Sequence, residues 1–260
     1  MPAERMQFKP GLQLSLSPRV LLTFALAVIV GAAVHELAHH FVAALECGGF
    51  GRLTLTRFQQ REGCDAVAGH IAGPAASFLF LWGGAGLLRR RSQLLGFAAV
   101  VAGMPVLRLV SVLSGGDDLN VVMHTLTGQR HERAVQILVV TLLVPPLVLA
   151  YRSLTNRRRW LVFPLALLVP LFPAAVLQPL DLRVFSPWID APETFRQPTL
   201  IGIPLAVLGF NLLSAVVLWR WGLPVLLGPA PDLARRYRNR GEPIQVSCRV
   251  EPQQDTGPNH

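Results

Sequence analysis

Two histidines four residues apart, with a glutamate directly after the first, stand in the 260-residue chain as His35-Glu36-Leu37-Ala38-His39. On a helix His35 and His39 stack one turn apart on one face, the geometry for two imidazoles on one metal ion. Glu36 falls one residue on, where its carboxylate reaches a water on the metal without itself becoming a ligand. Zn²⁺ in such a site lowers the pKa of its water toward about 7. Glu36 is then the general base that takes the water's proton and the general acid that passes it to a leaving amine. The expected cofactor is zinc, and the expected chemistry is hydrolysis.

A catalytic zinc takes a third protein ligand and keeps one position open. Glu46 is on the face of His39 but two turns on, about 10 Å along the axis, too far to share the metal. The better candidates are Asp117 and Asp118, in Ser114-Gly115-Gly116-Asp117-Asp118-Leu119-Asn120. One of the two also suits the N-cap of the fourth span. Both roles can be filled, one by each residue, and spacing does not say which takes which.

The elements that must position these groups are membrane spans. The chain is 52% hydrophobic and 15% charged, with a mean hydropathy of +0.44. A soluble globular domain is nearer a quarter charged, and a disordered chain is far less apolar. Six apolar runs of about twenty residues predict an all-α polytopic membrane protein. They cover about 20–45, 66–88, 93–113, 134–151, 160–180 and 199–219. Between the first two, residues 51–57 alternate with period two and predict a short β-hairpin-like loop. The domain plan is a polar lead (1–19), a core carrying the chemistry (20–130), additional transmembrane helices (131–220) and a polar, disordered tail (221–260). A basic lead precedes the first run, but no small-residue cleavage pattern follows, so it reads as a retained span.

The formal charge of +9 does not point to nucleic acid. The basic residues cluster where apolar runs end, as in Arg89-Arg90-Arg91 and Arg157-Arg158-Arg159, and no basic stretch carries an aromatic stacking platform. Basic residues flanking spans follow the positive-inside rule. With the N-terminus inside, 16 Lys and Arg fall on the inner side and 7 on the outer. That orientation puts His39 toward the outer side. Three cysteines exclude a disulfide-dense scaffold and a Cys-only zinc site. Cys47 and Cys64 bracket the 47–65 loop; two unrelated thiols at span ends are expected, and a disulfide is the alternative.

Other polar residues in spans carry two readings each. His70 is an ionisable group in lipid, suited to an oxyanion-binding or supporting role beside the metal, or to a hydrogen-bonded interior or near-interface position. Gly69 and Gly73, four apart, suit close helix packing. Arg108 is expected to snorkel or to pair with an interior carboxylate. The 51–57 alternation offers an edge to which an unwound substrate could add as a strand, exposing peptide bonds that a helix in lipid hides.

Over roughly residues 20–130 the chain resembles the site-2 protease family of intramembrane zinc metalloproteases. The resemblance rests on His35-Glu36-Leu37-Ala38-His39 in a span, the hairpin-like loop, Ala72-Gly73-Pro74-Ala75-Ala76-Ser77 in the next span, and the acid at Asp117 or Asp118. Ser77 stands where the family's Gly-Pro motif ends in Asn. Gly116-Asp117-Asp118 replaces its Asp-Gly, with Arg108 where an Asn is expected. The resemblance implies an endopeptidase that cuts transmembrane segments of other membrane proteins, often in signalling, and it gives Gly73, Pro74 and Ser77 substrate-positioning or metal-supporting roles. It also implies, for bacterial members, a cytoplasmic-membrane protein whose active site faces the cytosol, opposite to the charge count.

Two other classes compete. His35, His39 and His40 look like one histidine box of a membrane di-iron desaturase or hydroxylase, but such enzymes need about eight histidines in three boxes, and this chain has 7 in all. A transporter or scaffold retaining a protease-like core is the non-enzymatic reading, against which the intact His35, Glu36 and His39 argue.

Overall fold

The computed structural model describes residues 11–89, 92–129, 131–185, 187 and 199–227. Helix α1 (Pro18–Cys47) starts where Ser17 accepts from Val20 N, with Pro18 in its first turn, and ends at Gly48 in the left-handed region, φ 63°. Both are helix-boundary devices that follow from residue type. At 1.5 Å per residue, His35 lies about 26 Å along α1 from Pro18 and His39 about 12 Å short of Cys47. The chemistry therefore sits toward the Cys47 end.

Strands β1 (Arg52–Leu53) and β2 (Phe58–Gln59) form an antiparallel hairpin with Leu53 opposite Phe58. Helix α2 (Val67–Leu88) has no side-chain cap from its own N-cap residue, Ala66. Glu46 takes that task from the end of α1: its Oε2 accepts from Ala68 N at 2.9 Å and Gly69 N at 3.3 Å. A Cβ at Gly69 would lie 2.7 Å from Ala43 Cβ, so this glycine does allow α1 and α2 to close up.

Among the described residues, six segments are long and apolar enough to cross a membrane, at Pro18–Cys47, Val67–Leu88, Gln93–Leu113, Glu132–Ser153, Arg159–Phe185 and Leu205–Leu227. The protein is an integral, multi-pass membrane protein of all-α architecture with small hairpins. Several boundaries correct the sequence reading. The third span is two helices, α3 (Gln93–Ala102) and α4 (Pro105–Leu113), broken where Met104 adopts φ 53°. Pro105 disfavours a helical residue before it. The 114–133 connection between the third and fourth spans holds α5 (Asp118–Thr127), capped by Asp117. Helix α6 (Glu132–Ser153) keeps Pro145 and Pro146 inside it. The fifth span breaks at Val169–Pro170 into α7 (Arg159–Leu168) and α8 (Leu171–Leu180), then a π-helical turn, Asp181–Phe185. The sixth begins later than expected. Strands β3 (Thr199–Leu200) and β4 (Ile203–Pro204) form a second hairpin before α9 (Leu205–Val217). Helical structure continues through Leu227, so residues 221–227 are not tail; residues 228–260 lie outside the described residues.

The main core joins α1, α2, α3, α4 and α6 through Phe24, Leu81, Phe97, Val101, Val112 and Val139, and the Phe24 and Phe97 rings stack at 5.9 Å. Two expectations about the 47–65 loop change. Cys47 and Cys64 form a disulfide, with Cα atoms 5.9 Å apart, because the hairpin and the close α1–α2 approach bring the loop ends together. The β1 edge is not open to an added strand: its outward N–H, on Leu53, donates to Gly202 O at 3.1 Å.

A carboxylate fixes the hairpin tip. Asp181 is fully buried. Its Oδ2 accepts from Thr54 Oγ1 (2.6 Å), Thr56 N (3.1 Å) and Thr56 Oγ1 (2.8 Å), and its Oδ1 from Leu55 N (3.1 Å). Asp181→Ala would leave Leu55 N and Thr56 N without this acceptor and Thr54 Oγ1 with only Arg57 O at 3.2 Å, at about 1–3 kcal/mol for each donor that finds no water. Unfolding in detergent is expected to show a loss of at least about 3 kcal/mol. A loss below about 1 kcal/mol would mean the tip is held otherwise.

Candidate metal centre

On α1, His35 Nε2 and His39 Nε2 approach to 3.1 Å, their rings edge to face. His39 Nδ1 donates to Gly69 O at 2.7 Å. That bond fixes the tautomer and leaves the Nε2 lone pair for a metal. His35 Nδ1 lies 3.2 Å from Ser77 Oγ on α2. Both imidazoles need room on the α2 side, and Gly73 provides it: a Cβ there would collide with His39 Nε2 and His35 Cε1. Packing is thus Gly73's role, against the His35 and His39 rings. Pro74 is buried beside it in α2.

The two acids divide as the sequence allowed. Asp117 is the cap: its Oδ1 accepts from Leu119 N at 3.0 Å. It caps α5 rather than the fourth span. Asp118, first residue of α5, faces the histidines, with Oδ2 3.5 Å from His39 Nε2 and 3.8 Å from His35 Nε2. Burial opposes ionisation of Asp118. The hydrogen bond to His39 and the charges of His39 and Arg108 beside it outweigh that and hold its pKa well below the usual carboxylate range.

One atom from each of His35, His39 and Asp118 lies within 4.8 Å of the others, and among the described residues no other group of three His, Cys, Asp or Glu is so placed. Two imidazoles and one carboxylate with a position to spare suit zinc. The orienting bond from Gly69 O supports that fit. A di-iron site finds no second cluster among the described residues. His40 instead is fully buried and donates from Nε2 to Ile201 O at 2.7 Å.

These groups open on a cavity of about 850 Å³ that Glu36 and His70 also line. Its far walls are Pro173 and Leu177 of α8 and Phe210 of α9, so the spans beyond residue 131 help to build it. His70 meets the His39 ring edge to face at 6.2 Å, and its Nδ1 is buried with no hydrogen-bond partner. Arg108 pairs with both interior carboxylates, as one of its two expected readings has it, and also reaches His35.

Sequence reasoning missed three contributors. Phe58 of β2 lies parallel to the His39 ring, 5.6 Å away, and nothing in a two-residue strand marks it. Glu46 was weighed only as a ligand. Asp181, between Leu180 and Leu182 at the end of an apolar span, carried a usable signal, since an ionisable residue there needs a partner.

Comparison with protein-family models, with curated proteins and with solved structures finds no match to this chain.

Proposed function

We propose that the protein is an intramembrane zinc endopeptidase of the site-2 protease type, cleaving transmembrane or membrane-proximal segments of other membrane proteins. The observation that carries this reading is the convergence of His35, His39 and Asp118 beside Glu36 in one membrane-embedded cavity. His35 Nε2, His39 Nε2 and an Asp118 oxygen would hold the zinc. Bound there, it would supply the Lewis acidity that makes water a nucleophile near neutral pH. Glu36 takes the proton from that water and returns it to the departing amide nitrogen. Gly69 O and Ser77 Oγ hold the imidazoles in orientation, and Leu55, Thr56 and Phe58 of the 47–65 loop wall the cavity together with α8 and α9.

The test is cleavage of single-pass membrane proteins co-reconstituted with the purified chain in liposomes. Fragments that appear with zinc, vanish with a chelator and return on zinc addition support the reading. A zinc-replete chain that cuts nothing across a broad substrate panel favours the transporter or scaffold class.

A bacterial cytoplasmic membrane is the setting we propose, with the 47–65 loop on the outer side. The disulfide supports this, since such bonds persist in oxidising compartments, and so does the arginine bias. A membrane-impermeant thiol reagent, applied to intact cells after mild reduction, is expected to label Cys64 and spare Cys248. Labelling of Cys248 alone would reverse the orientation and turn the site to the cytosol.

A further inference from the structure

Arg108, on α4, is 7% exposed and lies in an apolar span, where a charge costs about 2.5–3.5 kcal/mol on insertion scales. Its two terminal nitrogens have different surroundings. Nη1 is anchored between Asp117 Oδ2 at 3.4 Å and Asp118 Oδ2 at 3.3 Å. Charge pairing needs no more than this. Nη2 is turned to the His35 imidazole, 2.8 Å from Nε2 and 2.6 Å from Nδ1, with Ser77 Oγ at a longer 3.4 Å.

With the His35 Nε2 lone pair given to a metal, the ring proton sits on Nδ1, so neither nitrogen of His35 can accept from Nη2. With the pair given to zinc, Nη2 is a charged donor short of a strong acceptor, at the wall of the cavity and tethered by Nη1. A buried donor in that state calls for an oxygen. We infer that Arg108 Nη2 binds the carbonyl oxygen of the scissile peptide bond and stabilises the charge it gains. This rests on the proteolytic reading. As the water oxygen bonds to the carbonyl carbon, the C=O π pair moves onto the carbonyl oxygen and the water proton goes to Glu36. That oxygen's charge is then met by the guanidinium. When the C=O re-forms, the C–N bond breaks, its electron pair stays on nitrogen, and Glu36 returns the proton there. A donor aimed at developing charge in a water-poor site is worth about 10²–10³ in kcat. Asp117 and Asp118 are the anchors that keep Nη2 from swinging away.

The test compares wild-type, Arg108→Gln and Arg108→Lys protein, each zinc-replete. It reads zinc per chain, kcat and KM, and affinity for a phosphonate peptide analogue, whose tetrahedral anion resembles the reacting centre. In Arg108→Gln, kcat is expected to fall about 10²–10³-fold with KM little changed, zinc retained, and phosphonate affinity lowered by a comparable factor. Arg108→Lys keeps the charge and not the fork, so it should recover part of both. If the Gln variant does not fold or hold zinc, the Lys variant carries the test, with kcat and phosphonate affinity falling together. Phosphonate affinity and kcat within about threefold of wild type, in whichever variant is zinc-replete, overturn the role and leave the proteolytic reading standing. Wild-type protein that holds zinc and cuts nothing overturns the proteolytic reading itself.

Discussion

Glu36→Gln is expected to abolish detectable cleavage while the fold and the metal remain. The amide has nearly the volume of the carboxylate, and Glu36 is not one of the three residues that could ligate. Zinc content and thermal unfolding should therefore match the wild type. What is lost is the proton carrier. Glutamine neither accepts the proton of the attacking water nor returns one to the amide nitrogen, and general acid–base catalysis of this kind contributes about 10²–10⁴-fold. Losing both transfers places the variant toward the upper end of that range. The measurement is single-turnover cleavage in liposomes alongside zinc content. Activity within tenfold of wild type would mean that another group moves the proton. His70, lining the same cavity, would be the first to examine.

Asp118→Ala and Asp117→Ala are expected to differ, although the residues are neighbours. Asp118 places Oδ2 3.5 Å from His39 Nε2, so its removal takes a ligand and zinc affinity should fall by more than about 100-fold, beyond the effect of losing an orienting partner. Asp117 caps α5 through Leu119 N, and its loss should cost about 1 kcal/mol of stability with zinc kept. Arg108 retains Asp118 at 3.3 Å in that variant, so the buried cation stays paired. A zinc titration by chelator competition separates the two. Equal zinc loss in both variants would show that the cap positions the ligand rather than merely ending a helix. Zinc loss in neither would put the third ligand elsewhere.

Much of this site is legible in the sequence because its information is local. Helical periodicity alone puts His35 and His39 on one face, and the structure adds only that their Nε2 atoms converge. The six apolar spans follow from composition and length. The division between Asp117 and Asp118 was not legible, because it depends on where α5 begins, and a ten-residue helix in a polar connection leaves little periodic signal. The break at Met104 is marked by Pro105, but its consequence, aiming Arg108 at His35, is tertiary. The same holds for Asp181, whose partners lie about 125 residues earlier in the chain. Pairing of Cys47 with Cys64 turned on loop closure, which the hairpin supplies.

The central claim is that His35, His39 and Asp118 together hold zinc, and metal analysis of the purified chain tests it most directly. Wild-type protein prepared without chelator should carry one zinc per chain, and His39→Ala, made and handled identically, essentially none. Wild-type protein that carries no zinc and takes up none from micromolar solution would contradict the account, as would His39→Ala that holds zinc as tightly as the wild type.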